Sequence, residues 1–191
     1  MSAAKSRTPR VALAACAALV FGATSIYAYW ALVLDHFVAV EPGQVYRSGA
    51  MPPERLLATV REYGIRSVID LRTHDEQAER ERALLATVGV RHFHIPSKQV
   101  PDPKTIDAFL AVMEDPANPP VLIHCTHGVG RAPLYEAIYR IEFQGWDAER
   151  ARESAYWRSG FGAFEPGDSK GRFLRAYTRR RHADVASRPS P

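Results

Sequence analysis

Hydrophobic and polar positions follow three different patterns along this chain, and each predicts a different kind of element. Residues 11–34 run for 24 positions without a charge. As a helix that run is about 36 Å long, enough to cross the roughly 30 Å hydrocarbon core of a bilayer. After a short linker around Glu41-Pro42-Gly43, short apolar runs alternate with helical spacing. Residues 44–47 are a strand candidate. Residues 53–63 read as a helix that starts at Pro52-Pro53, carries Leu56, Val60 and Tyr63 on one face and stops at Gly64. Residues 67–71 have a buried-strand pattern. Residues 75–88 form a charged helix closed by Gly89, its polar face read as solvated, and 91–95 the next strand. In 104–114, Ile106, Phe109, Leu110 and Met113 mark one helical face, ended by Pro116. The apolar run 121–123 leads into a glycine-bearing loop and a helix with Leu134, Ile138 and Ile141, ending at Gly145. Helices over 148–158 and 169–181 follow, and 187–191 reads as disordered. Strands separated by helices imply an α/β fold, a central mostly parallel sheet flanked by helices, preceded by one N-terminal transmembrane helix.

The first apolar run divides the chain into a basic N-terminus (1–10), an anchor (11–34), a folded domain (41–181) and a tail (182–191). Lys5, Arg7 and Arg10 precede the run, and Asp35, His36 and Glu41 follow it. That asymmetry places the N-terminus in the cytoplasm, and Tyr27, Tyr29 and Trp30 suit an interfacial aromatic belt. A cleavable signal peptide is the alternative reading of the same segment. With an uncleaved anchor in a bacterial inner membrane, the domain lies in the periplasm.

Net charge is +4, but residues 1–10 hold +3 and residues 170–191 hold +6, which leaves −5 for the body. A nucleic-acid partner is therefore not expected, because its basic footprint would lie on the folded part. Arg179-Arg180-Arg181 reads as a solvated stretch that could also touch anionic lipid. Cys16 lies inside the apolar run, so Cys125 has no intrachain disulfide partner. No CxxC pair, HExxH motif or spaced carboxylate cluster is present, so neither a metal nor another cofactor is called for.

The chemistry concentrates in Val121-Leu-Ile-His-Cys-Thr-His-Gly-Val-Gly-Arg-Ala-Pro133. At the C-terminal edge of a parallel sheet, a strand, a tight loop and a helix together make a ligand site. Cys125 and Arg131 are separated by five residues, so the chain can wrap into a cradle of inward-facing amides. Gly128 and Gly130 allow the angles and close approach this needs. The next helix directs its N-terminal dipole into the same space, and Arg131 offers a planar fork for two phosphate oxygens. Cys125 sits at the bottom of that positive field, where a thiol becomes a nucleophilic thiolate. The candidate substrate-binding residues are Thr126, His127, Gly128, Val129, Gly130 and Arg131.

His124-Cys125-x2-Gly128-x2-Arg131 resembles the signature of the cysteine-dependent protein tyrosine and dual-specificity phosphatases. Gly43-Gln-Val-Tyr-Arg-Ser-Gly49, Gly64-Ile-Arg-Ser-Val-Ile-Asp-Leu-Arg72, Val100-Pro-Asp-Pro103 and Asp115-Pro-Ala-Asn-Pro119 are similar to the compact atypical members of bacteria, fungi and plants. The resemblance implies a phosphocysteine intermediate on Cys125, phosphate held by Arg131, His124 orienting the loop through hydrogen bonds, and no metal. It also implies a phosphorylated substrate: a phosphoprotein, an inositol phosphate or, given the anchor, a phospholipid headgroup. Asp102 resembles the proton donor of the family; its other reading is the N-cap of the helix beginning near Pro103. Asp70 is a weaker candidate that ends its strand.

The chain departs from the family at Ala132, where Ser or Thr normally supplies a hydroxyl that helps expel the thiolate. Two other readings stay open. One is a rhodanese-like sulfurtransferase, disfavoured by the histidine before Cys125 and by the glycine spacing. The other is a catalytically inactive phosphate-binding module, for which Ala132 is the main argument.

Overall fold

The computed structural model describes residues 8–32, 35–159 and 163–180. Helix α1 (Thr8–Leu32) contains residues 11–32 of the long apolar run. Residues 12–29 are not buried against the rest of the molecule, and Leu13, Leu19, Phe21 and Ile26 are exposed. The domain follows as β1 (Val38–Glu41), β2 (Val45–Gly49), α2 (Pro53–Tyr63), β3 (Ser67–Asp70), α3 (Asp75–Ala86), β4 (Arg91–His94), α4 (Pro103–Glu114), β5 (Val121–Cys125), α5 (Arg131–Gln144), α6 (Ala148–Arg158) and α7 (Ser169–Ala176). The strands form one sheet in the order β1-β2-β5-β3-β4, parallel except for β1 against β2.

Strand β1 falls within the stretch expected to be linker. Only Val40 in it is buried, so it carries too little apolar signal to stand out. Pro42-Gly43 turns the chain into β2, with Gln44 N donating to Glu41 O at 3.0 Å and Gly43 at φ 76°; this is the Pro-Gly pattern of a type II turn.

Both faces of the sheet are covered. Val45, Ile69, Val121, Ile123 and Cys125 face a core shared with Phe109 of α4 and with Leu134 and Ile138 of α5. Tyr46, Val68 and Leu122 face a smaller core with Leu56 and Val60 of α2 and Leu85 of α3. Covering on both sides explains why β3 and β5 read as continuous apolar runs. Helix α5 is buried around its whole circumference from Ala132 to Glu142, not along the one face its apolar spacing predicts. Its polar residues are matched internally: Glu142 Oε1 accepts from Tyr177 Oη at 2.6 Å and from Arg180 N at 2.9 Å. Helix α7 ends at Ala176, short of the expected residue 181, and the chain beyond it is tied to the domain. Arg179 Nη2 donates to Glu142 O at 2.8 Å, and Arg180 pairs with Asp107 at 2.7 Å. Arg179 and Arg180 stay exposed, as expected of a solvated stretch, and each also makes a contact to the domain. The disordered tail expected over 182–191 lies outside the described residues.

Arg47 is completely buried. Its Nε pairs with Glu136 Oε2 at 2.5 Å, and its Nη1 donates to Gly128 O at 3.0 Å and His36 O at 3.5 Å. Removing one partner of a buried ion pair strands the other, at roughly 3–5 kcal/mol. Glu136 keeps Arg140 at 2.9 Å, so we expect Arg47→Met to cost about 3 kcal/mol, the low end of that range. Urea unfolding followed by tryptophan fluorescence measures it; an unchanged midpoint would contradict the clamp.

Candidate active site

Cys125 ends β5 at the C-terminal edge of the sheet, level with Gly49 of β2, and its thiol is buried. The loop 126–130 leads directly into α5, whose first residue is Arg131. Among the described residues, none of the backbone N–H groups of residues 126–131 donates to a protein acceptor. Cys125, His127, Val129, Gly130 and Arg131 line one cavity of about 210 Å³. The sequence-identified nucleophile and guanidinium therefore open onto the same space. A ring of free amides, a helix N-terminus and a guanidinium around a thiol form a seat for a tetrahedral oxyanion.

Two glycines set the loop's shape. Gly128 has φ 73°, and a β-carbon on it would lie 2.6 Å from Gly49 N. The loop crosses the end of β2 so closely that no side chain fits between them. Arg47 holds the Gly128 carbonyl from behind, keeping that oxygen out of the cavity.

Arg131 is held in place before any ligand binds. Its Nη1 donates to Leu71 O at 2.7 Å and to Ser97 O at 3.3 Å, and its Nη2 to Thr126 Oγ1 at 3.1 Å. Tyr135 Oη donates to Ser97 Oγ at 2.9 Å and fixes that carbonyl's residue in turn. Burial pushes the Tyr135 phenol up to about 12, against the opposing pull of Ser97.

His124 reaches away from the loop into a buried network on the other face of the sheet. Its Nε2 lies 2.7 Å from Glu81 Oε1, and His92 Nε2 lies 3.3 Å from the same oxygen. Arg72 bridges Glu81 Oε2 and Asp70 Oδ2, each at 2.7 Å. Glu81 belongs to the helix whose polar face was expected to be solvated; it turns inward because the Arg72 guanidinium and two histidine rings lie under it. Asp70, His92, His124 and Glu81 lie close enough together to hold a metal ion by distance, although Arg72 already supplies a cation to both carboxylates. Burial alone would raise the two acids. The hydrogen bonds from Arg72 to Asp70 and from His124 to Glu81, with Arg72 and His92 close to Glu81, outweigh it and hold both below the ordinary carboxylate range.

Asp102 is placed as the N-cap of α4: its Oδ1 accepts from Thr105 N at 2.9 Å and from Thr105 Oγ1 at 2.8 Å. Those bonds favour the anion and lower its pKa, and Asp102 is exposed and not among the residues lining the cavity. Thr126 touches Arg131 but does not line the cavity either. The cavity also has residues that the motif does not contain. Gln99 follows β4, and Lys170 lies in α7, with Ala163 beside them. Gln99 could have been suspected because it follows a strand at the ligand-binding edge. Nothing local in the sequence marks Lys170.

Two measurements check this geometry. Gly128→Ala places a side chain where backbone already sits, and its positive φ adds strain. It should abolish binding of vanadate or inorganic phosphate while leaving the circular dichroism spectrum unchanged. For the buried network, a carboxyl depressed in the fold stabilises it above its unfolded pKa, and that stability is lost as pH falls through the folded value. Glu81→Gln should therefore cost stability at pH 7, by about 3 kcal/mol, and should flatten the decline of urea-unfolding stability below about pH 4.5.

The chain is similar to known proteins in sequence and in fold. Residues 34–166 match the family model described as DSP-PTPase phosphatase fused to NAD+ kinase. The dual specificity protein phosphatase TpbA of Pseudomonas aeruginosa is 32% identical over 120 residues, covering 62% of this chain and 52% of that protein. The chain thus spans about half the length of the curated relatives it matches. The crystal structure of P. aeruginosa TpbA superposes with a TM-score of 0.61 at 26% identity, covering 75% of this chain and 85% of that one. A TpbA variant in complex with pTyr gives 0.58 at 25% identity, over 78% and 91%. The catalytic domain of the PP-IP phosphatase SIW14 from S. cerevisiae gives 0.63 at 21% identity, over 75% and 85%, a likeness of fold. With Cys125, its loop and Arg131 on one cavity and all of them inside the matched residues 34–166, the chain belongs to the DSP-PTPase phosphatases.

Proposed function

We propose that this protein is a membrane-anchored, cysteine-dependent phosphatase that hydrolyses phosphomonoesters through a phosphocysteine on Cys125. The observation that carries the reading is the single cavity shared by Cys125, Arg131 and a loop whose amides are free. In the first step the Cys125 thiolate attacks phosphorus in line with the leaving oxygen. Arg131 and the amides of residues 126–131 neutralise the equatorial oxygens as charge redistributes. Water then hydrolyses the thiophosphate. Phosphotyrosine is the favoured substrate, supported by the pTyr complex of the TpbA variant; a phospholipid headgroup is the alternative that the anchor brings within reach.

Expelling the leaving oxygen calls for a proton donor, and Asp102 is the candidate. As a helix cap, Asp102 is ionised, so donating to a leaving group would require it to take up a proton and release Thr105. With Asp102→Asn, an acid role predicts a larger loss on alkyl than on nitrophenyl phosphates, because nitrophenolate leaves without a proton. A pure cap predicts an equal, small effect on both and little change in stability, because asparagine caps a helix as well as aspartate does.

The anchor reading rests on α1. Ala12–Tyr29 has a mean hydropathy of 1.6 and is not buried among the described residues, an exposure of apolar surface that a bilayer would cover. We place the N-terminus in the cytoplasm and the domain in the periplasm. Retention of an N-terminal tag in carbonate-washed membranes, with protease access to the domain only from the periplasmic side, is the expected result.

The central test is turnover. Wild type should release phosphate from a phosphotyrosyl peptide and become labelled by 32P at residue 125 on acid quench, and Cys125→Ser should do neither. Ala132 is fully buried and brings no hydroxyl to the loop, so breakdown of the thiophosphate should limit the rate, and Ala132→Ser should raise steady-state turnover. Tight phosphate binding with no labelling would instead favour the inactive binding module. Thiocyanate formed from thiosulfate and cyanide would favour a sulfurtransferase.

A further inference from the structure

One wall of the active-site cavity comes from outside the cysteine–arginine motif. Lys170 Nζ lies 3.3 Å, and Gln99 Oε1 3.5 Å, from the point a β-carbon on Gly130 would occupy. Both side chains therefore close over the loop one residue before Arg131. The placement of Lys170 is enforced by packing at the next residue. A β-carbon on Gly171 would fall 1.8 Å from Glu165 O, so α7 rests directly on the backbone of the preceding turn. That turn is held by Arg152, whose Nη1 donates to Phe164 O at 2.6 Å, and Phe164 is fully buried beneath it.

Lys170 is half-buried, yet among the described residues it makes no ion pair and no hydrogen bond. Burial lowers its pKa; the charges that act on it are Cys125 and Asp168, which favour the ammonium, and Arg131, which opposes it. The Phe164 ring, 5.6 Å from the ammonium, offsets only part of the cost of its burial, and an anion in the same space would offset the rest. The charge balance of the cavity identifies that anion. A bound phosphoryl dianion and a thiolate together carry three negative charges. The motif offers Arg131 and the partial charge of one helix N-terminus. Arg47 also lies within electrostatic reach of Cys125, but Glu136 takes up its charge. His127 lines the cavity from the exposed side of the loop. No hydrogen bond reaches the Cys125 sulfur among the described residues, and the neighbouring Ala132 methyl is fully buried.

We propose that Lys170 is a further catalytic residue, whose ammonium faces the Cys125 sulfur across the cavity and stabilises its thiolate both as nucleophile and as leaving group. The assignment rests on the phosphatase reading. In the second step, water adds to the phosphorus of the thiophosphate dianion. The S–P bond breaks with its electron pair on sulfur, and the product leaves as dihydrogen phosphate carrying both water protons. Sulfur thereby becomes an anion in a buried site, where a hydroxyl donor is missing and the Lys170 charge compensates.

The test uses the full chain in detergent. Iodoacetamide reacts with the thiolate, so its alkylation rate at Cys125 reads the sulfur's charge without any turnover. Lys170→Met should slow alkylation at pH 7 roughly tenfold, as expected for loss of one nearby charge in a partly buried site. It should lower kcat by a similar factor with little change in KM, and enlarge the pre-steady-state burst relative to steady-state turnover. Lys170→Arg should retain most of the wild-type alkylation rate, and Ala132→Ser in the Lys170→Met background should recover turnover. Alkylation of Lys170→Met at the wild-type rate overturns the proposal, as does equal slowing in Lys170→Arg. Failure of the phosphatase reading itself gives a different pattern: no burst and no phosphate release from wild type, with the alkylation comparison still readable.

Discussion

The site depends on the crossing of the 126–130 loop over the end of β2. Gly128 and Gly49 approach until their backbones touch, and Arg47 closes the crossing from behind by taking the Gly128 carbonyl. A carbonyl facing the cavity would repel the anion that the amides are arranged to attract. Holding that oxygen requires a donor inside the protein, and a donor there must be neutralised. Glu136 does so from the first turns of α5, the same helix that presents Arg131. The buried ion pair thus links the shape of the cradle to the position of its guanidinium. Its net stabilisation is small by the usual accounting for buried pairs; what it provides is a single geometry for the loop.

The two faces of the sheet divide the work. On one, apolar packing of α4 and α5 against β5 sets where the helix dipole points. On the other, Asp70, Arg72, Glu81, His92 and His124 build a polar core directly behind the nucleophile's strand. His124 precedes Cys125 in the chain and so points to the opposite face, as alternation along a strand requires. It is held by Glu81 of α3, not by the loop itself. The network positions β5 through its side chain while Cys125 projects into the cavity.

Parts of the site were legible for definite reasons. Cys125, Gly128, Gly130 and Arg131 are adjacent in sequence because one loop must supply nucleophile, cradle and fork together, and local chemistry is what a local motif records. The strands over 67–70 and 121–125 announce themselves by continuous apolar runs, and the helix over 53–63 by its proline start and glycine stop. β1 does not, since only Val40 is buried in it. Glu81 reads as a solvated residue on a charged helix, because a carboxylate's burial depends on partners it meets only in the fold: Arg72 just after β3, His92 of β4 and His124 of β5. Asp102 supports two readings from sequence, and the geometry assigns it the bonds of a cap.

The sequence alone determined the alternating α/β architecture, the apolar N-terminal helix and the identity of the phosphate loop, since periodicity and short-range spacing are properties of neighbouring residues. Only the tertiary structure decided the rest: that Arg47 clamps the loop, that Glu81 lies under His124, and that Lys170, 45 positions beyond Cys125 in the chain, forms a wall of its cavity. Each of these depends on which charges meet once water has been excluded, and that is set by the packing of α3, α5 and α7 against one sheet.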